Sequence, residues 1–464
     1  MRYCPTQLFT ALLYCSQIIG NRLLMKEPLV SIGILTEKEI RFDLYGEFTL
    51  KGLDKKISGR FKAKLSGDKI SILQDKKEIF SSDELLFNPN DLETESFLLR
   101  DVVIGKGFHW QSKENQRFRG RLKFIKEKDQ ITVVNILPLE EYLTSVISSE
   151  MSANSSIELL KAHSIVSRGW LLAQMEKKNK KAVNEIISED EIIRWYDRED
   201  HANYDFCADD HCQRYQGVTK IINDNAVNAI ASTRGLVLKY HDAICDTRYS
   251  KCCGGITEVF ENVWENVPHP YISSILDYKF KFENGITDFE KEKSTEHWIN
   301  STPQAFCNTT DEKILSTVLV NFDHSTNDFF RWNVEYTQDE IAETIKSKSG
   351  IDFGNIIDLV PIERGASTRI IKLKIIGNKK TITVGKELEI RKILSKTHLY
   401  SSAFVVTKEK IVKGIPQKFI LHGAGWGHGV GLCQIGAAVM GELGYGFDEI
   451  LTHYFNGAQI QKIY

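Results

Sequence analysis

Short runs in which apolar and polar residues alternate dominate residues 28–135. Segments such as VSIGIL, FKAKL, KISILQ and ITVVNIL are separated by Gly, Asp, Asn and Lys. A period of two residues is that of a β-strand with one buried face. At Pro138 the period changes to 3.6 residues, which is that of an amphipathic helix. The pattern therefore predicts a β-rich region that is followed by a helix over residues 137–151.

A second helix is predicted immediately after the first. Ser155 and Glu158 form the S-x-x-E pattern of a capping box. An apolar stripe at helical spacing follows it, formed by Leu159, Ala162, Val166 and Trp170. We expect these two helices to pack together at the centre of the fold.

The rest of the chain predicts an α+β fold. Strand patterns return over 231–249, and 278–400 combines a strand-to-helix pattern with three strand-like runs. A glycine-rich loop then leads into two amphipathic helices. The predicted divisions are a leader or over-called start (1–24), an N-terminal β-rich region (28–135), a helical core (136–277), an inserted α+β subdomain (278–400) and a C-terminal segment that completes the core (401–464).

Composition narrows the function classes. The 464 residues carry 60 Lys and Arg against 62 Asp and Glu, a formal net charge of −2. This balance argues against a broad basic surface for nucleic acid. The apolar run Leu8–Gly20 is too short to span a membrane, so no transmembrane helix is expected. Residues 1–24 fit either a leader peptide or an over-called start, which means that translation would begin at Met25.

Glu150 is the most informative position of the first predicted helix. It continues the apolar stripe formed by Leu139, Leu143, Val146 and Ile147. Taking a carboxylate out of water raises its pKa, and such a group can act as a general acid near neutral pH. The alternative is a helix end at which Glu150 turns to solvent.

The glycine-rich loop HGAGWGHGVG is a second candidate for chemistry. It presents Trp426 and His428, with Gln434 shortly after it. A dinucleotide-binding motif is rejected because no βαβ unit follows. An aromatic ring, an imidazole and an amide suit stacking on a sugar and hydrogen bonding to it. The alternative is a loop that packs tightly against the core.

The chain has nine cysteines, which are clustered and odd in number. This pattern suggests a metal site and additional free cysteines rather than a disulfide framework. His201, Cys207 and Cys212 provide one imidazole and two thiolates in a short loop, which are ligands that zinc prefers. His211 and the Cys252–Cys253 pair are nearby candidates for a fourth ligand. Free, reduced cysteines are the alternative.

Three motifs together resemble the stage II sporulation protein D family, which includes amidase-enhancer proteins. They are LPLEEYLTSVISSEM with ELLKAHSIVSRGW, SKCCGGITE with PYI, and HGAGWGHGVGLCQIGAAVMGELGYGFDEILTHYFNGAQI. They cover about 100–277 and 400–464. The chain departs from the family pattern at three positions: His163 stands where Gln is usual, and Cys252 and Cys433 stand where Ser or another small residue is usual.

The resemblance implies a lytic transglycosylase that cleaves the MurNAc–GlcNAc bond of peptidoglycan in the cell envelope. Glu150 would be its single acid/base, and His201, Cys207 and Cys212 would hold a structural zinc ion. The implied partners are glycan strands, already stripped of peptides, and a cell-wall amidase. Substrate contacts are expected from Lys161, Arg168, Trp426, His428 and Gln434. Asp210, Asp246 and Glu258 are candidates for stabilising the transition state.

Two other functions fit the sequence. The first is a glycan-binding protein that lacks catalytic activity and stimulates a separate amidase. The second is a metal-dependent hydrolase that uses His201, Cys207 and Cys212. An enhancer would bind glycan without cleaving it and would accelerate an amidase. A metal-dependent hydrolase would lose its turnover on chelation of the metal.

Overall fold

The protein is described by a computed structural model. The described residues are 26–53, 55–105, 111–177, 185–196, 201–209, 212–279, 289, 291–318 and 328–464. The predicted leader or start (1–24), Asp210 and His211 lie outside them. The α+β class is confirmed, with 25% helix and 40% strand. None of the helices in these ranges has the length and apolar character needed to cross a bilayer.

The alternating N-terminal pattern folds into one large sheet. Its strands are β1 (Leu29–Glu37), β2 (Glu39–Leu50), β3 (Lys56–Ser66), β4 (Lys69–Gln74), β5 (Lys77–Ser82), β6 (Glu84–Pro89), β7 (Ser96–Ile104), β8 (Ser112–Phe118), β9 (Arg121–Glu127) and β10 (Gln130–Pro138). The order along the sheet is β1, β10, β9, β6, β2, β3, β4 and β5, and β7 joins β2 to β8. Apolar side chains such as Ile32, Phe42 and Phe124 are completely buried.

The two predicted helices follow directly as α1 (Leu139–Glu150) and α2 (Ile157–Lys177). The capping prediction for α2 is off by one residue. Ser156 Oγ, not Ser155 Oγ, accepts the Leu159 N–H at 3.3 Å. Ser155 Oγ instead donates to the Thr317 carbonyl at 2.6 Å, which ties this turn to a distant segment.

Short elements continue the core after α2. They are β11 (Glu185–Ile187), β12 (Glu191–Arg194), β13 (Phe206–Cys207), α3 (Asn225–Ser232), β14 (Leu236–Tyr240), β15 (Ala243–Ile244) and β16 (Tyr249–Ser250), with 3₁₀ turns at Gly217–Lys220 and Phe260–Asn262. Strand β13 adds to β1 in parallel, with Cys207 opposite Gly33. The candidate metal segment is therefore attached to the edge of the large sheet.

The predicted insertion contains both helices and strands. They are α4 (Glu292–Ile299), α5 (Glu312–Val318), β17 (Arg331–Thr337), α6 (Gln338–Ser349), β18 (Ile356–Arg364), β19 (Ile370–Gly377), β20 (Thr381–Gly385) and α7 (Glu387–Ile393). Its sheets extend beyond 278–400. Strand β20 pairs with β12, so the segment is built into the core on both sides.

The C-terminal elements are β21 (Phe404–Val412), β22 (Ile415–Ala424), β23 (Leu432–Cys433), α8 (Gln434–Glu442), α9 (Phe447–Tyr454) and β24 (Gln459–Lys462). The predicted helix pair is confirmed here as α8 and α9. Strand β22 lies between β17 and β21, and β23 pairs in parallel with β16. The glycine-rich loop joins β22 to β23.

A buried ion pair joins α1 to α2. Arg168 is completely buried, and its guanidinium donates to both carboxylate oxygens of Glu140 at 2.9 and 2.7 Å. It also donates to the Leu236 carbonyl at 3.0 Å. The Tyr464 hydroxyl donates to Glu140 from the C-terminus. The pair therefore connects both helices, β14 and the end of the chain.

Replacing Arg168 with Met should lower the free energy of unfolding by about 3–5 kcal/mol, because Glu140 would remain buried without its cation. Urea denaturation followed by circular dichroism measures this loss. The control is Lys56→Met, which breaks a pair with Glu47 in which both side chains are about half exposed and should cost less than about 1 kcal/mol. Equal losses in the two variants would contradict the assignment.

A second buried carboxylate, Asp246, anchors the end of α2. Arg248 donates to its Oδ1 at 2.7 Å, and Lys177 and Gln174 each donate to Oδ2 at 3.0 Å. Burial alone would raise the pKa of Asp246, but the Arg248 and Lys177 cations outweigh it and lower the pKa from 3.8 to about 2.

Because the folded-state pKa is lowered, Asp246 stabilises the fold above its unfolded pKa, and this contribution disappears as the pH falls from about 4 to about 2. The difference in unfolding free energy between the wild type and Asp246→Asn should therefore shrink by about 2 kcal/mol over that range. Asp129→Asn is the control, since Asp129 is exposed in its pair with Lys38. A difference for Asp246→Asn that stays constant with pH would rule out this linkage.

Candidate active site

Glu150 lies at the last residue of α1. The four apolar residues that precede it on the stripe are completely buried, whereas Glu150 itself is half-buried. Its Oε1 accepts the backbone N–H of Arg214 at 2.9 Å and the hydroxyl of Tyr249 at 3.3 Å. In the part of the chain that the structure describes, Oε2 receives no hydrogen bond. The carboxylate is thus held through one oxygen.

Tyr249 is the residue that the sequence analysis missed. Its ring lies edge-on to His163, with the ring centroids 4.5 Å apart. Its backbone oxygen accepts a hydrogen bond from Nε2 of His428 at 2.9 Å. Burial, and next the Glu150 charge, raises the pKa of Tyr249 well above its ordinary value. Tyr249 is therefore a neutral donor to Glu150.

Burial lowers the pKa of both neighbouring histidines, and a hydrogen bond defines the tautomer of His428. Nδ1 of His428 accepts the Val430 N–H at 3.0 Å, so Nε2 carries the proton that goes to Tyr249. Burial lowers the pKa of His428 well below its ordinary value. For His163, burial and then the Lys251 cation lower the pKa to about 3. Both imidazoles are therefore neutral at the near-neutral pH at which the candidate site would act.

Two of the predicted substrate residues belong to this arrangement. Gln434 is buried, and its amide nitrogen lies 3.3 Å from Nε2 of His163. His428 fixes the backbone of Tyr249. The structure thus brings Gln434 and His428 together around the residue that holds Glu150, and both act there through hydrogen bonds within the protein.

The other two polar candidates lie in different surroundings. Arg168 is completely buried in the ion pair with Glu140. Lys161 is half-buried and pairs with Glu158 at 2.7 Å. Of these two predicted substrate residues, only Lys161 has an accessible charged end, and a role in glycan binding stays a prediction for both.

Trp426 is half-buried on an aromatic cluster. Its ring stacks on Phe329 at 4.6 Å and lies 4.5 Å from Tyr400. Its backbone exchanges two hydrogen bonds with Cys252, at 2.8 and 3.0 Å. The predicted stacking ring is therefore attached by backbone hydrogen bonds to Cys252, which follows Tyr249 by three residues.

The glycine-rich loop packs closely against the backbone before and after Cys252. At Gly425, which has φ of +75°, a Cβ would lie 2.8 Å from the Cys252 oxygen. At Gly431, with φ of +73°, it would lie 2.2 Å from the Arg248 oxygen. Only glycine fits either position. Tight packing, which was the alternative for this loop, is therefore one of its roles.

His201, Cys207 and Cys212 come together as the sequence analysis expected. Their candidate ligand atoms all lie within 4.8 Å of one another. Nε2 of His201 lies 3.5 Å from Cys212 Sγ. One imidazole and two thiols at this spacing fit zinc. Arg214, two residues after Cys212, supplies the N–H that holds Glu150, so an ion here would fix the segment that orients the carboxylate.

The acidic candidates Asp246 and Glu258 are both buried and bonded to protein donors. Asp246 takes part in the ion pairs described above. Glu258 accepts the Ser367 hydroxyl at 2.5 Å and the Asn262 amide at 2.9 Å. Their hydrogen bonds give both carboxylates structural roles in the core.

Two family models match the chain. Residues 127–240 match the Stage II sporulation protein model, and residues 258–431 match a domain of unknown function, DUF8618. The second match spans the whole inserted segment (278–400), where the motif resemblance was thinnest.

Several curated proteins are similar over most of the chain. Stage II sporulation protein D of Bacillus amyloliquefaciens is 23% identical over 71% of the chain and 76% of its own length. An uncharacterized protein of Brachyspira hyodysenteriae is 26% identical over 74% and 72%. The amidase enhancer of Bacillus subtilis is 25% identical over 68% of the chain but only 40% of its own length. Residues 127–240, which contain Glu150 and the His201–Cys207–Cys212 cluster, are thus similar to the Stage II sporulation protein family, and relatives named stage II sporulation protein D share this similarity over most of the chain.

Proposed function

We propose that this protein is a peptidoglycan lytic transglycosylase in which Glu150 is the acid and the base. The observation that carries the proposal is the carboxylate at the end of α1, which is half-buried and, among the described residues, held only through Oε1. A carboxyl group that is fixed through one oxygen and keeps the other available for proton transfer suits general-acid cleavage of a glycosidic bond.

The two hydrogen bonds assign different roles to the carboxyl oxygens. Oε1 accepts from Arg214 and Tyr249, so the transferable proton belongs on Oε2. From there it goes to the glycosidic oxygen between MurNAc and GlcNAc as that bond breaks. The carboxylate then takes the proton of the MurNAc 6-hydroxyl, whose oxygen attacks C1 and closes a 1,6-anhydro ring. One carboxyl group therefore serves both steps.

The roles of three buried carboxylates are consistent with a single acid/base. A hydrolytic glycosidase needs a second carboxylate to activate water or to form a covalent intermediate. Asp246 and Glu258 are buried and bonded to protein donors, and Glu140 is paired with Arg168. Ring closure by the substrate's own hydroxyl removes the need for a second group.

Substrate binding is proposed at Trp426 and Lys161, which are half-buried and reachable by a glycan. A sugar ring could stack on the exposed part of the Trp426 indole. The substrate would be glycan freed of its peptides, which places the protein in the cell envelope beside an amidase. Zinc at His201, Cys207 and Cys212 would hold Arg214 in place and would take no part in the proton transfers.

A second candidate function is a glycan-binding protein that stimulates a cell-wall amidase without cleaving glycan itself. The similarity to a protein named amidase enhancer favours it. The buried hydrogen-bond network around Tyr249 would then serve only to support a binding surface.

Glu150→Gln should reduce glycan cleavage by about 10²–10⁴-fold, because an amide cannot donate or accept the transferred proton. The variant keeps an oxygen acceptor for Arg214 and Tyr249, so the fold should be unchanged by circular dichroism. Glu141→Gln is the matched control, as Glu141 is exposed on the same helix. Release of soluble fragments from amidase-treated peptidoglycan measures the rate, and unimpaired cleavage by Glu150→Gln would refute the assignment.

Tyr249→Phe tests whether the hydrogen bond from the Tyr249 hydroxyl positions Oε1 of Glu150. Loss of a hydrogen bond to a charged group costs about 1.5–3 kcal/mol, so the rate constant kcat should fall by roughly 10–150-fold with little change in KM. Tyr142→Phe is the control, because it removes a buried hydroxyl that bonds Gln213 rather than Glu150. Equal kcat values for the two variants would show that Tyr249 does not position the acid.

The same preparation separates the two functions. A transglycosylase releases fragments from peptide-free glycan without any added protein. An enhancer binds that glycan intact, and it increases the rate of an added amidase equally well with Gln at position 150.

A further inference from the structure

Four buried side chains from separate parts of the chain converge between the core and the inserted segment. They are Cys253, Asp277, Cys307 and Cys433. Each is at most 2% exposed. Their candidate ligand atoms all lie within 4.8 Å of one another. This set shares no residue with the His201–Cys207–Cys212 cluster.

The spacing within the set suits one tetrahedral ion. Cys253 Sγ lies 3.5 Å from Cys307 Sγ and 3.3 Å from Asp277 Oδ2. In tetrahedral zinc sites with Zn–S distances of about 2.3 Å, the ligand atoms lie about 3.7 Å apart. Three sulfurs and one carboxylate oxygen complete a four-coordinate set, so the site would be closed and structural rather than catalytic.

The supporting contacts are those that a metal-bound carboxylate needs. Asp277 Oδ2 faces the sulfurs, whereas Oδ1 accepts the Tyr454 hydroxyl at 2.7 Å and lies 3.5 Å from Nε2 of His453. Partners of this kind orient a ligand and are typical of metal sites. A completely buried carboxylate is costly unless a cation neutralises it.

A cation, Arg331, also lies beside cysteines of the set. Arg331 donates to four backbone carbonyls, those of Gly254, Trp298, Ser301 and Phe330. Its guanidinium lies close enough to the Cys252, Cys253 and Cys307 thiols to interact with them electrostatically. A guanidinium at this position would offset part of the negative charge that zinc-bound thiolates carry.

We propose that Cys253, Asp277, Cys307 and Cys433 bind one zinc ion, with release of the thiol protons to solvent. The ion would fasten the segment 291–318 to β23, which follows the glycine-rich loop, and to the turn that follows Tyr249. Cys433 stands where the family usually has a small residue, and Cys307 lies in the segment matched by DUF8618. The site would therefore distinguish chains that carry this insertion.

The test uses the full chain in which His201→Ala, Cys207→Ser and Cys212→Ser remove the first cluster. The protein is purified with reductant, loaded with zinc, desalted and measured by native mass spectrometry. We expect about one zinc per chain, lost on adding Cys307→Ser and retained on adding Cys245→Ser. Cys245 is also completely buried in this core but lies outside the set.

Cobalt loading gives a second measurement. Thiolate-to-cobalt absorption should appear in the folded triple variant. This measurement does not depend on whether the Cys307→Ser variant folds. Folded protein that retains no zinc, or that keeps its zinc in Cys307→Ser, would overturn the proposal. A disulfide between Cys253 and Cys307 would also overturn the proposal. It would lower the intact mass by two hydrogens and would give one disulfide-linked peptide that contains both residues.

Discussion

The candidate site depends on two hydrogen bonds that meet at one oxygen of Glu150. One comes from the backbone of Arg214 and the other from the hydroxyl of Tyr249, so the carboxylate is fixed by segments 64 and 99 residues away in sequence. Each donor is fixed in turn. Arg214 follows the His201–Cys207–Cys212 cluster, and Tyr249 is held by His428 and His163. Helix α1 alone would leave the carboxylate at a helix end with no defined orientation.

The sequence predicts those parts of the fold in which a local pattern decides the structure. The N-terminal alternation, α1 and the two C-terminal helices follow from periodicity. The ordered motifs indicated the resemblance to the family and made Glu150 the candidate acid/base. Contacts between distant segments were not predictable in this way. Ser155 illustrates this, because its hydroxyl bonds Thr317 instead of capping α2.

The same limit explains why Tyr249 and the buried metal candidate were missed. Tyr249 precedes the SKCCGGITE motif directly, and its place beside that motif was the only available indication. Cys253, Asp277, Cys307 and Cys433 have no common spacing, and only the folded chain brings them together. Arg168 shows the reverse case: its place in a motif suggested substrate contact, while its burial with Glu140 gives it a structural role.

The most direct test of the central claim is the origin of the new oxygen at the cut glycan ends. Peptide-free glycan is digested by the wild-type protein in water enriched in heavy oxygen, and the fragments are analysed by mass spectrometry. If Glu150 directs attack by the MurNAc 6-hydroxyl, the ends are anhydro sugars without the heavy isotope. Hydrated ends that carry it would show that water attacks, and would contradict the account.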